Sequence, residues 1–213
     1  MTGETSTKEP VGSSEVATLR GRVRSETAAW HDRVDAVVAG PNAFASRDAY
    51  VDLLGRLYEL HATFESRLVD SSLDETWTHL GIDVAAHRRA PLCATDLEHL
   101  GAKPVAKLIT SMKFETPGHA LGCLYVLEGS SLGGGTVARM VHARIGDVPT
   151  AFFTGQGRAK PPPWTSVVKA LARFDSEGGD GDTVVAGACE TFASFAAHLD
   201  RDGLIETATG ACA

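Results

Sequence analysis

One histidine, His31, stands beside Trp30 with Thr27 four residues before it and Asp35 four after. On a helix each offset is about one turn, so the three polar side chains share a face. An imidazole so placed fits one of two roles. It is a hydrogen-bonded residue at the core boundary, or an axial ligand that binds iron through one ring nitrogen and donates the other N–H to a partner. A second anomaly is the run GHALGCLYVLEGSSLGGGTVARMVHARIG over 118–146, which carries Gly122, Gly129, Gly133, Gly134 and Gly135 inside a helical pattern. Each interior glycine costs about 0.8–1.0 kcal/mol relative to alanine, so something must offset the loss. Close helix packing is one explanation. A phosphate loop is another, since Gly129-x-x-x-x-Gly134-Gly135-Thr136 nears the right spacing, although Gly135 takes the lysine position and no strand precedes it. The third is a flat ligand lying on bare backbone, with the glycines also letting the helix kink.

Other constellations are weaker. The chain contains no Glu-x-x-His and no His-Glu-x-x-His, which removes di-iron carboxylate and zincin chemistry; Gly129-Ser130-Ser131-Leu132-Gly133 has Gly-x-Ser-x-Gly spacing, but no strand precedes it, so no hydrolase elbow is expected. His61 and Glu65 share a helical spacing and read as an ordinary hydrogen bond near the surface. The loop DSEGGDGD (175–182) lacks the EF-hand pattern and reads as a solvated turn. Four cysteines, at 93, 123, 189 and 212, form no Cys-x-x-Cys pair, so neither a zinc ribbon nor a disulfide scaffold is expected. Cys123 and Cys189 fall among apolar residues and read as buried, inert thiols.

The elements that must carry these residues are helical. Leu19, Val23, Thr27, Trp30, Val34 and Val37 trace one face of a helix over about 15–39, stopped by Gly40-Pro41-Asn42. A second helix is predicted from Ser46 to about 70, with the stripe Tyr50, Leu53, Leu54, Leu57, His61, Phe64 and Leu68. A weaker helical stretch covers Val84–Leu100 with Pro91 as a break, and Val105–Met112 reads as a short helix. Thr116 and Pro117 are an N-cap and first-turn pair opening a helix to about Ile145. After a loop containing AFFTGQGRAKPPPW come helices over Trp164–Phe174 and from Thr183 to about Leu199. The fold class expected is all-α, a single-domain compact bundle of six to eight helices, with tails at 1–15 and 201–213 around a domain at 16–200.

Length and composition agree. The 213 residues are 43% apolar and 22% charged, enough to fill a core and unlike a disordered or fibrous chain. The formal net charge of −7 argues against nucleic-acid binding, which needs a basic footprint. No run of about 18 apolar residues is present for a membrane helix, and the polar N-terminus has no signal-type segment. A soluble, cytoplasmic protein of a reducing compartment is the expectation.

Thr27-x-x-x-His31-x-x-x-Asp35 followed by LYVLEGSSLGG at 124–134 resembles the haem oxygenase family. Within it, FFTGQG at 152–157 with Trp164, and TFASFAAHL at 191–199, look like the biliverdin-producing branch associated with bacteriophytochromes. The resemblance covers most of 19–199. It implies an all-α fold that holds haem between a proximal and a distal helix, haem being both substrate and cofactor. By carry-over His31 is the iron ligand, Gly129, Gly133 and Gly134 form the kinked distal helix, and Phe192 is an aromatic wall. Arg24 matches a propionate-binding position, with Lys169 and Arg173 as counterparts from a later helix. Gly129 and Ser130 are the catalytic positions. Many family members carry an aspartate directly after the distal glycine to organise proton-delivering water, and here Ser130 and Ser131 follow instead. The implied activity opens haem to biliverdin, releasing iron and carbon monoxide. It consumes O2 and electrons from an external reductant or a donor protein of the ferredoxin or flavodoxin reductase kind, since no flavin or nicotinamide fingerprint is present. The alternative is a non-catalytic haem carrier or sensor of the same fold.

Overall fold

The computed structural model describes residues 18–69, 71–107, 113–155 and 163–200; the expected tails at 1–15 and 201–213 lie outside them. Thr18 caps the first helix, α1 (Leu19–Glu26), its Oγ1 accepting from Gly21 N at 3.1 Å. The single helix predicted over 15–39 is in fact two, because Thr27 departs from helical geometry at φ −98°, ψ 0°. Buried Thr27 donates its hydroxyl to Val23 O at 2.7 Å, the back-bond by which threonine bends a helix. The bend starts α2 (Ala28–Val38), which carries His31.

Ser46 caps α3 (Arg47–Leu68), with Oγ accepting from Ala49 N at 3.1 Å, and every residue of the expected stripe is buried. A short helix, α4 (Asp74–Leu80), follows where the sequence showed no apolar stripe. One residue anchors it: Trp77 is buried and donates Nε1–H to Leu68 O at 2.8 Å. Pro91 does not break the next segment. It sits in the first turn of α5 (Ala90–His99), where proline is favoured, after a separate 3-10 turn at Val84–His87. The short helix expected over Val105–Met112 does not form at 105–107, and 108–112 lie outside the described residues.

Thr116 and Pro117 open α6 (Pro117–Gly129) as expected, with Thr116 Oγ1 accepting from His119 N at 3.1 Å. The predicted continuation to Ile145 is interrupted at 130–133, after which α7 (Gly134–Ile145) begins. A one-turn helix, α8 (Ala151–Thr154), occupies part of the expected loop. Two more complete the fold, α9 (Pro163–Ser176) and α10 (Gly181–Leu199). The described residues thus hold ten α-helices and no strand. The expected six to eight grew through two interruptions and two short helices.

The centre is α6, buried all round from Gly118 to Glu128. It lies backbone-to-backbone on α10, and two glycines permit that approach. A methyl at Gly122 would collide with the Val184 carbonyl, and one at Gly187 with the His119 carbonyl. Helix packing therefore explains Gly122, the first of the anomalous glycines.

Candidate active site

A cavity of about 770 Å³ lies between α2 and the α6–α7 turn, within the size range of small-molecule clefts. Its first wall is α2. His31 lines the cavity with its side chain 51% exposed, and its Nδ1 stands 3.3 Å from Asp35 Oδ2. A carboxylate beside Nδ1 favours the tautomer with Nδ1–H and leaves the Nε2 lone pair for a metal. Burial pushes the Asp35 carboxyl pKa upward, His31 opposes the shift, and Asp32 adds to it. Among the described residues no group of three or more His, Cys, Asp or Glu side chains converges to hold a metal. A metal here would therefore take fewer than three protein donors, which suits an ion carried inside its own macrocycle.

The second wall is the turn that interrupts α6 and α7. Gly129, Ser130 and Gly133 line the cavity. A methyl built at Gly133 would meet nothing within 4 Å, and one at Gly129 would come no nearer than 3.7 Å to the Trp164 ring. The fold itself does not require glycine at either position. Gly134 differs: it is buried outside the cavity, and a methyl there would strike the Phe153 carbonyl. The glycine run thus divides. Gly122 and Gly134 are small for packing, while Gly129 and Gly133 leave bare backbone facing open space, as a flat ligand requires. Ser130 Oγ donates to Leu127 O at 2.8 Å and Ser131 Oγ to Glu128 O at 2.6 Å. These back-bonds end α6 and engage the hydroxyl hydrogens, leaving oxygen lone pairs as acceptors.

Aromatic side chains close the rest. Phe192 on α10 lines the cavity and meets the His31 ring edge-on at 6.2 Å. Arg20 and Arg24 stand at the cavity with Tyr125 and Trp164. Arg20 lies over the Trp164 ring at 5.9 Å, and Tyr125 packs on the same ring at 5.4 Å. Burial pushes the Tyr125 hydroxyl pKa up, with Arg20 and Arg24 opposing. The structure does not bring Lys169 or Arg173 to this cavity. Lys169 is exposed, and Arg173 pairs through Nε with Glu177 at 2.9 Å. Trp164 is the α9 residue that reaches the cavity; helical periodicity alone did not distinguish which turn of α9 would do so.

The chain also places His61 on the cavity, with Leu57, Arg89, Phe152 and Phe153. His61 and Glu65 are not a surface pair: both are buried, with Nδ1 and Oε1 3.1 Å apart. Cys123 is a buried free thiol whose pKa burial pushes up to about 12. Cys189 is buried too but is not a free thiol, contrary to the expectation from sequence.

Comparison with known proteins bears on this geometry. Residues 17–201 match the family model described as "Heme oxygenase". A haem oxygenase of Xanthomonas campestris pv. campestris is 32% identical over 150 residues, which is 70% of this chain and 87% of that protein. The NO- and CO-bound haem oxygenase of Neisseria meningitidis shares the fold at a TM-score of 0.67 with 23% identity, over 90% of this chain and 96% of that one. Haem oxygenase 2 of Chlamydomonas reinhardtii without haem shares it at 0.66 with 20% identity, over 89% and 100%. Among the described residues no helix is long and apolar enough to cross a membrane.

Proposed function

The chain belongs to the haem oxygenase family, whose general function is the cleavage of haem to biliverdin, and we propose that it performs this reaction in the cavity between α2 and the α6–α7 turn. The observation that carries the assignment is the pairing of an imidazole whose Nδ1 stands 3.3 Å from the Asp35 carboxylate with glycine backbone that no protein contact explains. His31 Nε2 is the proposed iron ligand. Gly129 and Gly133 present the flat surface to the macrocycle, and Phe192 supports the His31 side. Arg24 and Arg20 meet the haem carboxylates as charge-assisted donors, with the Tyr125 hydroxyl available beside them as a neutral donor. Arg24 keeps the part that the resemblance gave it, and Arg20 takes the one given to Lys169 and Arg173. Gly134 shapes the turn from behind through its contact with α8.

The reaction consumes O2 and electrons and releases iron and carbon monoxide. Electrons come from an external reductant or a donor protein. The likeness to the bacteriophytochrome-associated branch rests on the residues quoted above. What the protein itself contributes is placement: one haem edge is fixed relative to the distal wall, and side chains exclude bulk water from the macrocycle. Haemin titration followed by ascorbate or a ferredoxin reducing system in air tests the proposal. The expected result is a histidine-ligated Soret band that decays into the broad red absorbance of biliverdin with carbon monoxide evolved. A haem complex that keeps its Soret band indefinitely would assign the cavity to haem carriage instead.

A further inference from the structure

A flat ligand whose two faces are covered is still free to slide and turn in its own plane. Long arginine side chains at one end do not prevent that. A rigid stop at the edge does, and α8 is where the chain supplies one. Phe152 and Phe153 are buried, both line the cavity, and their rings meet edge-on at 5.1 Å. Yet α8 is a single turn, Ala151–Thr154, too short to hold its own shape. Its first amides also have no partner within the helix.

Those amides share one acceptor. Asp96 on α5 is 1% exposed; its Oδ1 accepts from Ala151 N at 3.1 Å and its Oδ2 from Phe152 N at 2.8 Å. Arg89, the residue before α5, donates to the Phe152 carbonyl, so buried charged groups hold both backbone sides of Phe152. Tyr50 donates to Pro149 O at 2.8 Å and stacks on the Phe153 ring at 6.4 Å. On its other side the Phe153 carbonyl fills the space that a side chain on Gly134 would take. The stop is therefore fixed between α5 and the distal turn. Asp96 does not line the cavity, so it acts on a ligand only through α8.

We propose that Asp96 is a positioning residue of the haem reaction: by holding the backbone of Ala151 and Phe152 it fixes the Phe152–Phe153 stop, and the stop selects one in-plane seating of the macrocycle. The seating decides which edge of haem is presented for cleavage. The inference rests on haem occupying this cavity.

The test reads seating without turnover. In the full chain loaded with haemin and cyanide, the proton resonances of the haem methyl groups report in-plane orientation. Asp96→Asn keeps the side chain's size but leaves one acceptor oxygen and turns an NH2 toward the other amide. Wild type should show one dominant methyl pattern, and Asp96→Asn about a tenfold rise in a second one. Phe153→Leu, which shortens the stop itself, should raise the second pattern too. With ascorbate in air, the ratio of biliverdin isomers should change in step with the methyl patterns. The wild-type pattern unaltered in Asp96→Asn would overturn the proposal. Haem-free wild type gives a readout independent of the variants' folding. Its Ala151 and Phe152 amides should exchange about a hundredfold more slowly than unprotected ones, and free exchange at both would also overturn the proposal. Wild type that binds no haemin would remove the cavity assignment and this inference together; haem bound in the same seating in all three proteins removes Asp96 alone.

Discussion

The two walls of the cavity are held in place by different means. On α2 only Val34 is buried, and His31 stands half exposed with its Asp35 partner. On α6 every residue from Gly118 to Glu128 is buried, and its backbone lies directly on α10. Packing with the rest of the chain thus fixes the distal wall before any ligand arrives. The α2 wall has far less of its own surface in the core, so a macrocycle bound to His31 as proposed would supply much of the apolar contact it otherwise lacks. One wall is a template and the other is a clasp.

The glycines allow that contrast to be broken most severely. In Gly122→Ala the added methyl meets backbone of α10, which cannot rotate away. Separating the two helices should cost about 3 kcal/mol, read from the unfolding midpoint in denaturant. Gly133→Ala faces open space and should change stability by no more than about 0.5 kcal/mol. Equal losses in the two variants would contradict the division between packing glycines and ligand-facing ones.

Ligand binding sharpens it from the other side. Gly133→Val leaves the fold intact but raises a branched side chain where the macrocycle should lie. Haemin affinity should fall tenfold or more, equivalent to about 1.4 kcal/mol, while the unfolding midpoint of the haem-free protein stays put. Hydrogen exchange then compares the walls directly. Haemin should slow amide exchange in Ala28–Val38 by about tenfold, with a smaller change in Pro117–Gly129, whose protection already comes from packing.

The smallest effect expected is on acid stability. The folded-state pKa of His61 is lowered, chiefly by burial, from its ordinary value of 6.5. Below that value the unfolded chain takes up a proton that the folded chain refuses, so this group's contribution to stability falls as pH drops. It is fully present above 6.5 and has a limiting slope of about 1.4 kcal/mol per pH unit. Replacing His61 by Gln should flatten the acid limb of the stability curve, measured by denaturant unfolding between pH 7 and pH 5. A limb that keeps its slope would assign the acid sensitivity to other groups.

Much of this was legible from residue spacing, and the exceptions share a cause. The caps at Ser46 and Thr116 and the stripe of α3 depend on local chemistry and appear where expected. The His31–Asp35 spacing and the glycine run also pointed to the two segments that line one cavity. Periodicity tells which face a residue occupies but not how deep that face lies. His61 and Glu65 share a face that is sealed by Phe152 and Phe195, far away in the chain, so they read as surface residues when they are core. Tyr125 and Trp164 meet only after α6 and α9 pack. Nor can spacing separate Gly133 from Gly134, adjacent residues of which one faces a cavity and the other a carbonyl. The break at Thr27 was hidden because its hydroxyl bond to Val23 bends a helix whose apolar period continues undisturbed.

The most direct test of the whole account is the optical spectrum of ferric haemin bound to wild-type protein and to His31→Ala, each with and without added imidazole. Wild type should show a histidine-ligated ferric haem, His31→Ala should lose that signature, and imidazole should restore it in the cavity the substitution leaves. An unchanged spectrum in His31→Ala would show that iron is held elsewhere and that the α2 wall is not the proximal one.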